Sequence, residues 1–339
     1  MNDTRTQSPK FVPGAALFPD WRDDVLTGKG PIVWHHTLPL PELSPGIVTL
    51  LGGAPGAGKT ALVSQCVVEA LRFNPDLRAL ICNVEMSPSA LLDRQLARLT
   101  GINGDVIRHR RFTAEHNEDR EVGLATVESF IERLAFLAAP FDLANVAAAA
   151  DAHEADIVVI DYIQRFTCPG EDGDARAKLN RTMDYLRQFA AAGCAVIVLS
   201  AIGRTKDAQG RATYSGAGLA SFRESSELEF GADDAFILAP IDDAEPDAVR
   251  LAHLKARNGA MLTLDLAFDR PRQTFALLDE PAPLPAAPAP RRGRGRKSPP
   301  PGSVAEYSEF SQAHLAKLWK PAPPAAPDAT DRDDEGGDE

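Results

Sequence analysis

Gly53-Ala54-Pro55-Gly56-Ala57-Gly58-Lys59-Thr60 is the stretch on which the fold of this chain turns. It follows a short apolar, β-leaning run, Ile47-Val48-Thr49-Leu50-Leu51, and precedes a helical stretch that reaches about Phe73, where Asn74-Pro75-Asp76 breaks it. A strand, a glycine-rich loop and a helix in that order form a cradle for phosphate. Glycines let consecutive backbone N–H groups turn inward, and the helix start adds its partial positive charge. The expected ligand is ATP with Mg2+, held by Gly53, Ala54, Pro55, Gly56, Ala57, Gly58, Lys59 and Thr60. Lys59 is expected to reach the β and γ phosphates, and Thr60 to ligate the metal through its hydroxyl.

Downstream the alternation continues. Ala79 to Val84 reads as a strand, Pro88 to Leu99 as a helix opened by Ser87, and residues 118–150 as an alanine-rich, mostly helical region. Ile157 to Ile160, the helix Ala175 to Ala192 and Ala195 to Leu199 follow. Short apolar strands separated by helices imply an α/β fold, with a mostly parallel, twisted sheet covered on both faces. Runs at 235–238, 250–254 and 262–267 have no helices between them, so the late edge of the sheet is expected to be antiparallel.

Two carboxylates belong with the loop. Asp161 closes a buried strand, where it can accept from Thr60 or from metal-bound water, and is the second expected metal residue. Glu85 ends the second strand and is the expected base that polarises an attacking water.

The expected domain of residues 46–279 lies between an N-terminal extension, 1–45, and a tail, 280–339. In the extension, Trp21 to Leu26 and Ile32 to Trp34 are candidates to pack on the body or on a neighbour. The tail holds a proline–alanine tract, a basic cluster from Arg291 to Lys297 and an acidic end. Such composition buries too little apolar surface to offset ordering entropy, so disorder is expected. Between them Val304, Tyr307, Ser311, Leu315 and Leu318 share a helical face suited to docking a protein partner.

Of the net charge of −12, residues 281–339 carry 8 basic and 9 acidic side chains, so −11 falls on residues 1–280. Such a body repels phosphate backbones on average and leaves nucleic-acid contact to local cationic segments. Cys66, Cys82, Cys168 and Cys194 are widely spaced and read as free thiols of a reducing compartment. No apolar run is long enough for a membrane span and the first ten residues lack a secretory pattern, so a cytoplasmic protein is expected, with the nucleoid as one place it could act.

The order of motifs resembles the RecA-like ATPase domain of DnaB-type replicative helicases. Val84-Glu85-Met86-Ser87 is similar to that family's "LEMS", with Arg94 at the matching distance, and Ile160-Asp161-Tyr162-Ile163-Gln164 to its "IDYLQ". Phe222-Arg223-Glu224-Ser225 with Glu229 and Ala232-Asp233 resembles "LRES…IEQDAD", and Lys255-Ala256-Arg257-Asn258-Gly259 fits "K-x-R-N-G". The resemblance spans about residues 45–270. It implies a RecA-like P-loop NTPase fold, a hexameric ring or filament, and ATP held between subunits. Glu85 is then the catalytic base, and Lys255 and Arg257 are cations reaching the neighbour's γ-phosphate.

This chain departs from the family in three places. Leu199-Ser200-Ala201 stands where the family has "LSQ", only residues 1–45 precede the domain, and the loop interior Ala54-Pro55-Gly56-Ala57 is closer to RecA, RadA or KaiC relatives. The segment 203–221, with Arg204, Lys206 and Arg211, is the candidate contact for single-stranded DNA. The leading expectation is an ATP-hydrolysing DNA helicase or DNA-stimulated ATPase of replication or repair. The alternatives are a non-translocating KaiC- or RadA-like regulatory ATPase, or a helicase-loader-like adaptor. A small-molecule kinase would need an arginine-rich lid and a second substrate pocket, neither of which the sequence offers.

Overall fold

The computed structural model describes residues 12–167, 175–203, 205–206, 212–213, 218–222, 231–242 and 245–278. The chain enters through helix α1 (Gly14–Thr27), then runs through strand β1 (Val48–Gly53), α2 (Lys59–Phe73), β2 (Ala79–Asn83), α3 (Pro88–Thr100), α4 (Gly104–Arg108) and α5 (Asn117–Glu128). It continues with β3 (Leu134–Phe136), α6 (Leu143–His153), β4 (Ile157–Asp161), α7 (Ala175–Ala191) and β5 (Ala195–Ala201). A small ribbon, β6 (Thr205–Lys206) with β7 (Ala212–Thr213), precedes the run of β8 (Asp234–Asp242), β9 (Glu245–Ala256), β10 (Thr263–Asp269) and β11 (Thr274–Leu277).

The main sheet has the order β11-β10-β9-β8-β1-β5-β4-β2-β3. From β8 to β3 the pairing is parallel, and from β8 to β11 it is antiparallel. The expected architecture, including its antiparallel late edge, is what the chain adopts. Because side chains alternate along a strand, each central strand feeds both faces. Ile157 and Val159 of β4 and Ile197 and Leu199 of β5 pack on the α2 side, while Val158, Ile160, Val196 and Val198 pack on the α7 side. Helix α2 is buried continuously from Ala61 to Leu71, so the element that carries the glycine-rich loop is locked on all sides. Its Gln65 amide brackets Phe275, donating to the carbonyl at 3.0 Å and accepting the N–H at 2.8 Å, which ties β11 to α2. Farther along, Glu69 pairs with Arg98 of α3 at 2.9 Å with both side chains 5 % exposed, and accepts from the Thr37 backbone at 2.9 Å.

Local detail adds to these readings. Residues 118–150 are mostly helical, as expected, but Leu134–Phe136 forms β3, which pairs with β2 at the sheet edge. The alanine-rich composition hid a three-residue strand whose pairing partner lies more than fifty positions earlier. The N-terminal extension contains a helix, α1, in which no residue is buried; Trp21 is 60 % exposed. The following segment joins the body: Trp34 packs against the α2-side core, as expected, and Leu38, Leu40 and Leu43 are buried in it. Cys66 and Cys82 are buried and Cys194 is partly so, all three as free thiols. Cys168 and the tail lie outside the described residues.

Candidate functional site

The parallel strands all point their carboxyl ends at one edge, where open α/β sheets bind ligands. Register puts Gly53 opposite Ala201 and Asn83 opposite Asp161, so the predicted loop, Asp161 and Ala201 meet there. The loop needs its glycines sterically. Gly58 has φ of +94°, and a Cβ there would lie 2.7 Å from Phe275 and 2.8 Å from Phe268, whose rings stack at 4.2 Å. A Cβ on Gly53 would lie 2.5 Å from the Leu238 carbonyl oxygen.

Lys59 Nζ folds over the loop, donating to the carbonyls of Gly53 at 2.8 Å and Ala54 at 3.0 Å. Burial pushes its ammonium below the ordinary lysine range, opposed by the charges of Asp161 and Glu85. Thr60 donates its hydroxyl to Asp161 Oδ2 at 2.7 Å, and Asn83 donates its amide to the same oxygen at 2.6 Å. Burial lifts the Asp161 carboxyl above the usual range, against those two bonds and the Lys59 charge. The other side of the Asn83 amide accepts the N–H groups of Glu85 at 3.0 Å and Met86 at 2.7 Å. One asparagine therefore sets both the strand-end aspartate and the turn that carries Glu85, whose side chain is exposed.

A cavity of about 630 Å³ opens over these groups, lined among others by Gly58, Thr60, Glu85, Arg94 and Arg270. A second, of about 700 Å³, shares Glu85, Arg94 and Arg270 with it and extends toward Asp93 and Arg108. The donor set fits a nucleoside triphosphate: N–H groups at a helix start, an ammonium, and room for base and sugar. The hydroxyl and carboxylate oxygens of Thr60 and Asp161 suit a hard divalent cation.

Two features of this edge were not legible beforehand. Arg94, singled out only by its spacing, lines the cavity; burial lowers its pKa while the charge of Asp161 opposes that. Arg270, which no motif marked, donates to the Gly56 carbonyl at 2.7 Å and lies 4.9 Å over the Phe268 ring. It reaches the loop because the antiparallel late strands fold back across the sheet, and no local signal announces that.

Lys255 and Arg257 lie elsewhere. Strand β9 runs antiparallel to β8, and Lys255 is opposite Ala235, whereas Gly53 at the loop is opposite Leu238. At about 3.3 Å per residue, the end of β9 is about 10 Å or more along the sheet from the strand ends that carry the loop, and it faces the opposite edge. There Lys255 Nζ donates to the Ala232 carbonyl at 2.8 Å, and Arg257 pairs with Asp233 at 2.6 Å. Of the candidate DNA segment, Arg204 and Arg211 lie outside the described residues, and Lys206 is placed by its backbone alone, in β6. Arg223, Glu224, Ser225 and Glu229 also lie outside them.

The family model for the DnaB-like helicase C terminal domain matches residues 42–277. The chain belongs to that family. Two solved structures share the fold of this DnaB-like chain. The first, an ATPase domain, superposes with a TM-score of 0.69 at 17 % identity, over 80 % of this chain and 100 % of that one. The second, a DnaB-like replicative helicase described with its interactions with primase, superposes with a TM-score of 0.62 at 20 % identity, over 69 % of this chain and 59 % of that one. A search of curated proteins found no match. The RecA-like fold of the family is thus the fold of this DnaB-like chain, and the glycine-rich loop, Glu85, Asp161, Lys255 and Arg257 all lie within the matched span. Among the described residues no helix is long and apolar enough to cross a membrane.

Proposed function

We propose that the protein is an ATP-hydrolysing motor-type ATPase, stimulated by single-stranded DNA, in which each ATP is turned over at a junction between two copies of the chain. The observation that carries this reading is the separation of Lys255 and Arg257 from their own chain's glycine-rich loop. Cations at the far edge of the sheet cannot reach a triphosphate bound at the near edge, but in a head-to-tail assembly they face the next subunit's loop.

In this reading the N–H groups of residues 53–60 and the Lys59 ammonium bind the phosphates. Thr60 and Asp161 would hold Mg2+, which when bound neutralises developing phosphate charge. Glu85, exposed beside the cavity and held by the Asn83 amide through its backbone, accepts a proton from the attacking water. The Arg257 guanidinium and Lys255 ammonium from the neighbouring copy stabilise the charge that spreads over the transferred group. The segment 203–221 leaves the same carboxyl edge after β5 and returns at Ser221, whose carbonyl accepts the Gly203 N–H at 2.9 Å; a strand held there would feel the state of the nucleotide site. We place the activity in the cytoplasm, with a hexameric ring or filament as the working form and the C-terminal tail as a docking segment for a protein partner.

One observation favours a second reading, a regulatory ATPase of KaiC or RadA type or a loader-like adaptor. Ala201 lines the nucleotide cavity with no side chain able to hydrogen-bond the γ-phosphate. Gln164 occupies the neighbouring space, donating to Ser200 Oγ at 2.9 Å. Steady-state ATPase rate and particle mass, with and without single-stranded DNA at low salt, separate the two. The motor reading expects an oligomer whose rate rises with DNA and vanishes in Lys59→Ala. An oligomer indifferent to every DNA tested leaves the regulatory reading, and full turnover by a monomer removes both.

A further inference from the structure

Residues 232–233 hold both far-edge cations, and one carboxylate does most of the holding. Asp233 is 3 % exposed. Its Oδ1 takes Arg257 Nη1 at 2.6 Å, while Oδ2 takes Arg187 Nη1 of α7 at 2.6 Å and the Val48 N–H at 2.8 Å. Its backbone is equally fixed. The Asp233 N–H donates to the Val48 carbonyl at 2.8 Å, and the Asp233 carbonyl accepts the Arg257 N–H at 2.9 Å. The carbonyl one residue earlier accepts Lys255 Nζ.

We propose that Asp233 is a positioning residue that pre-sets the Arg257 guanidinium for the neighbouring copy's nucleotide, with Arg187 sharing the buried charge. The proposal rests on the across-junction reading above. A long arginine at a strand end loses rotamer freedom when it meets a phosphate, and an ion pair made beforehand removes that cost at the moment of reaction. Asp233 engages Arg257 through one nitrogen, and the side chain stays 45 % exposed, so the rest of its donor fork remains available for an anion. Arg187 shares the same carboxylate from α7, outside the K-x-R segment, with its own side chain 36 % exposed. The ties to Val48 connect the whole cluster to the first residue of the strand that ends in the glycine-rich loop.

A purely structural Asp233, one that only caps the start of β1, is the competing explanation, and a double-mutant cycle separates them. In the full chain, Asp233→Asn keeps an oxygen for the Val48 N–H but loses the charge that holds Arg257. It is expected to lower kcat about tenfold while KM for ATP stays within about twofold, with oligomer mass unchanged. In an Arg257→Ala background the same change is expected to cost less than about twofold, because nothing is left to position. An equal loss in both backgrounds, or wild-type kcat in Asp233→Asn, overturns the proposal while leaving the junction reading intact. Wild-type kcat in Arg257→Ala sinks the junction reading first, and the proposal with it. If Asp233→Asn does not fold, Asp233→Glu, which keeps the charge but moves it by one methylene, takes its place. Reduced kcat at unchanged KM supports positioning, and wild-type kcat refutes it.

Discussion

The two ends of β1 are built on different plans. At the Gly53 end the groups close on one another within a single chain: Lys59 lies on the carbonyls of Gly53 and Ala54, and Thr60 and Asn83 share Asp161. At the Val48 end a buried carboxylate grips two arginines whose side chains stay about a third or more exposed. The first end is shaped to enclose a phosphate ligand. The second is a charged surface turned outward, and the strand between them keeps it away from the anion its own chain would bind. In the proposed reading the two ends meet across a junction between neighbouring copies.

The severest test of that contrast is to damage each end in a different copy. Arg257→Ala is expected to reduce ATP turnover about 10³-fold, as loss of a charge-stabilising arginine does in GTPases. Mixed with equal Lys59→Ala protein, itself inactive, it should regain activity, since about a quarter of randomly formed junctions pair an intact loop with an intact arginine. A mixture no more active than its components would break the comparison. Next in size, Glu85→Gln should lower kcat about 10²-fold while nucleotide still binds with near wild-type affinity, measured by fluorescent-nucleotide titration. Loss of binding in step with turnover would move Glu85 from proton acceptance to structure.

Gly58→Ala sharpens the near end. A methyl group at a φ of +94°, pressed against Phe268 and Phe275, should weaken nucleotide binding about tenfold or more and lower the melting temperature. Wild-type affinity there would show that the aromatic floor yields. The smallest effect is expected from charge at Asp161. Burial raises its carboxyl pKa, so the unfolded chain ionises at lower pH than the folded one, and the fold bears a penalty at neutral pH that is absent below about pH 4. Asp161→Asn should therefore raise the nucleotide-free melting temperature at neutral pH, by about 2–4 °C per kcal/mol. The gain should shrink as pH falls toward about 4. A lower melting temperature at neutral pH would mean that the Thr60 and Asn83 bonds outweigh burial.

At the near end the meeting of the glycine-rich loop, Thr60 and Asp161 was legible, while Arg270 was not. The glycine-rich loop, Thr60 and Asp161 belong to motifs whose chemistry is local, and strand ends of a parallel sheet must gather at one edge. The role of Asn83 was less visible, because an asparagine ending a strand has no signature until its two hydrogen-bonding sides are seen to face different partners. The strand β3 was missed inside an alanine-rich stretch, since three residues carry too little periodicity to read. Helix α1 was missed as well; its Leu17, Phe18 and Trp21 are exposed, so burial forced no pattern on the sequence.

Local chemistry in the sequence alone determined the class of fold, the phosphate cradle and the family, because each depends on short runs of residues whose backbone geometry is dictated by their neighbours. Which groups meet was decided by tertiary structure alone. Arg270 reaches Gly56 from the far end of the domain, and Asp233 gathers Arg187, Arg257 and Val48 from three separate places in the chain. Such meetings follow from strand order and direction, which pair residues distant in sequence through a sheet that no single segment can specify.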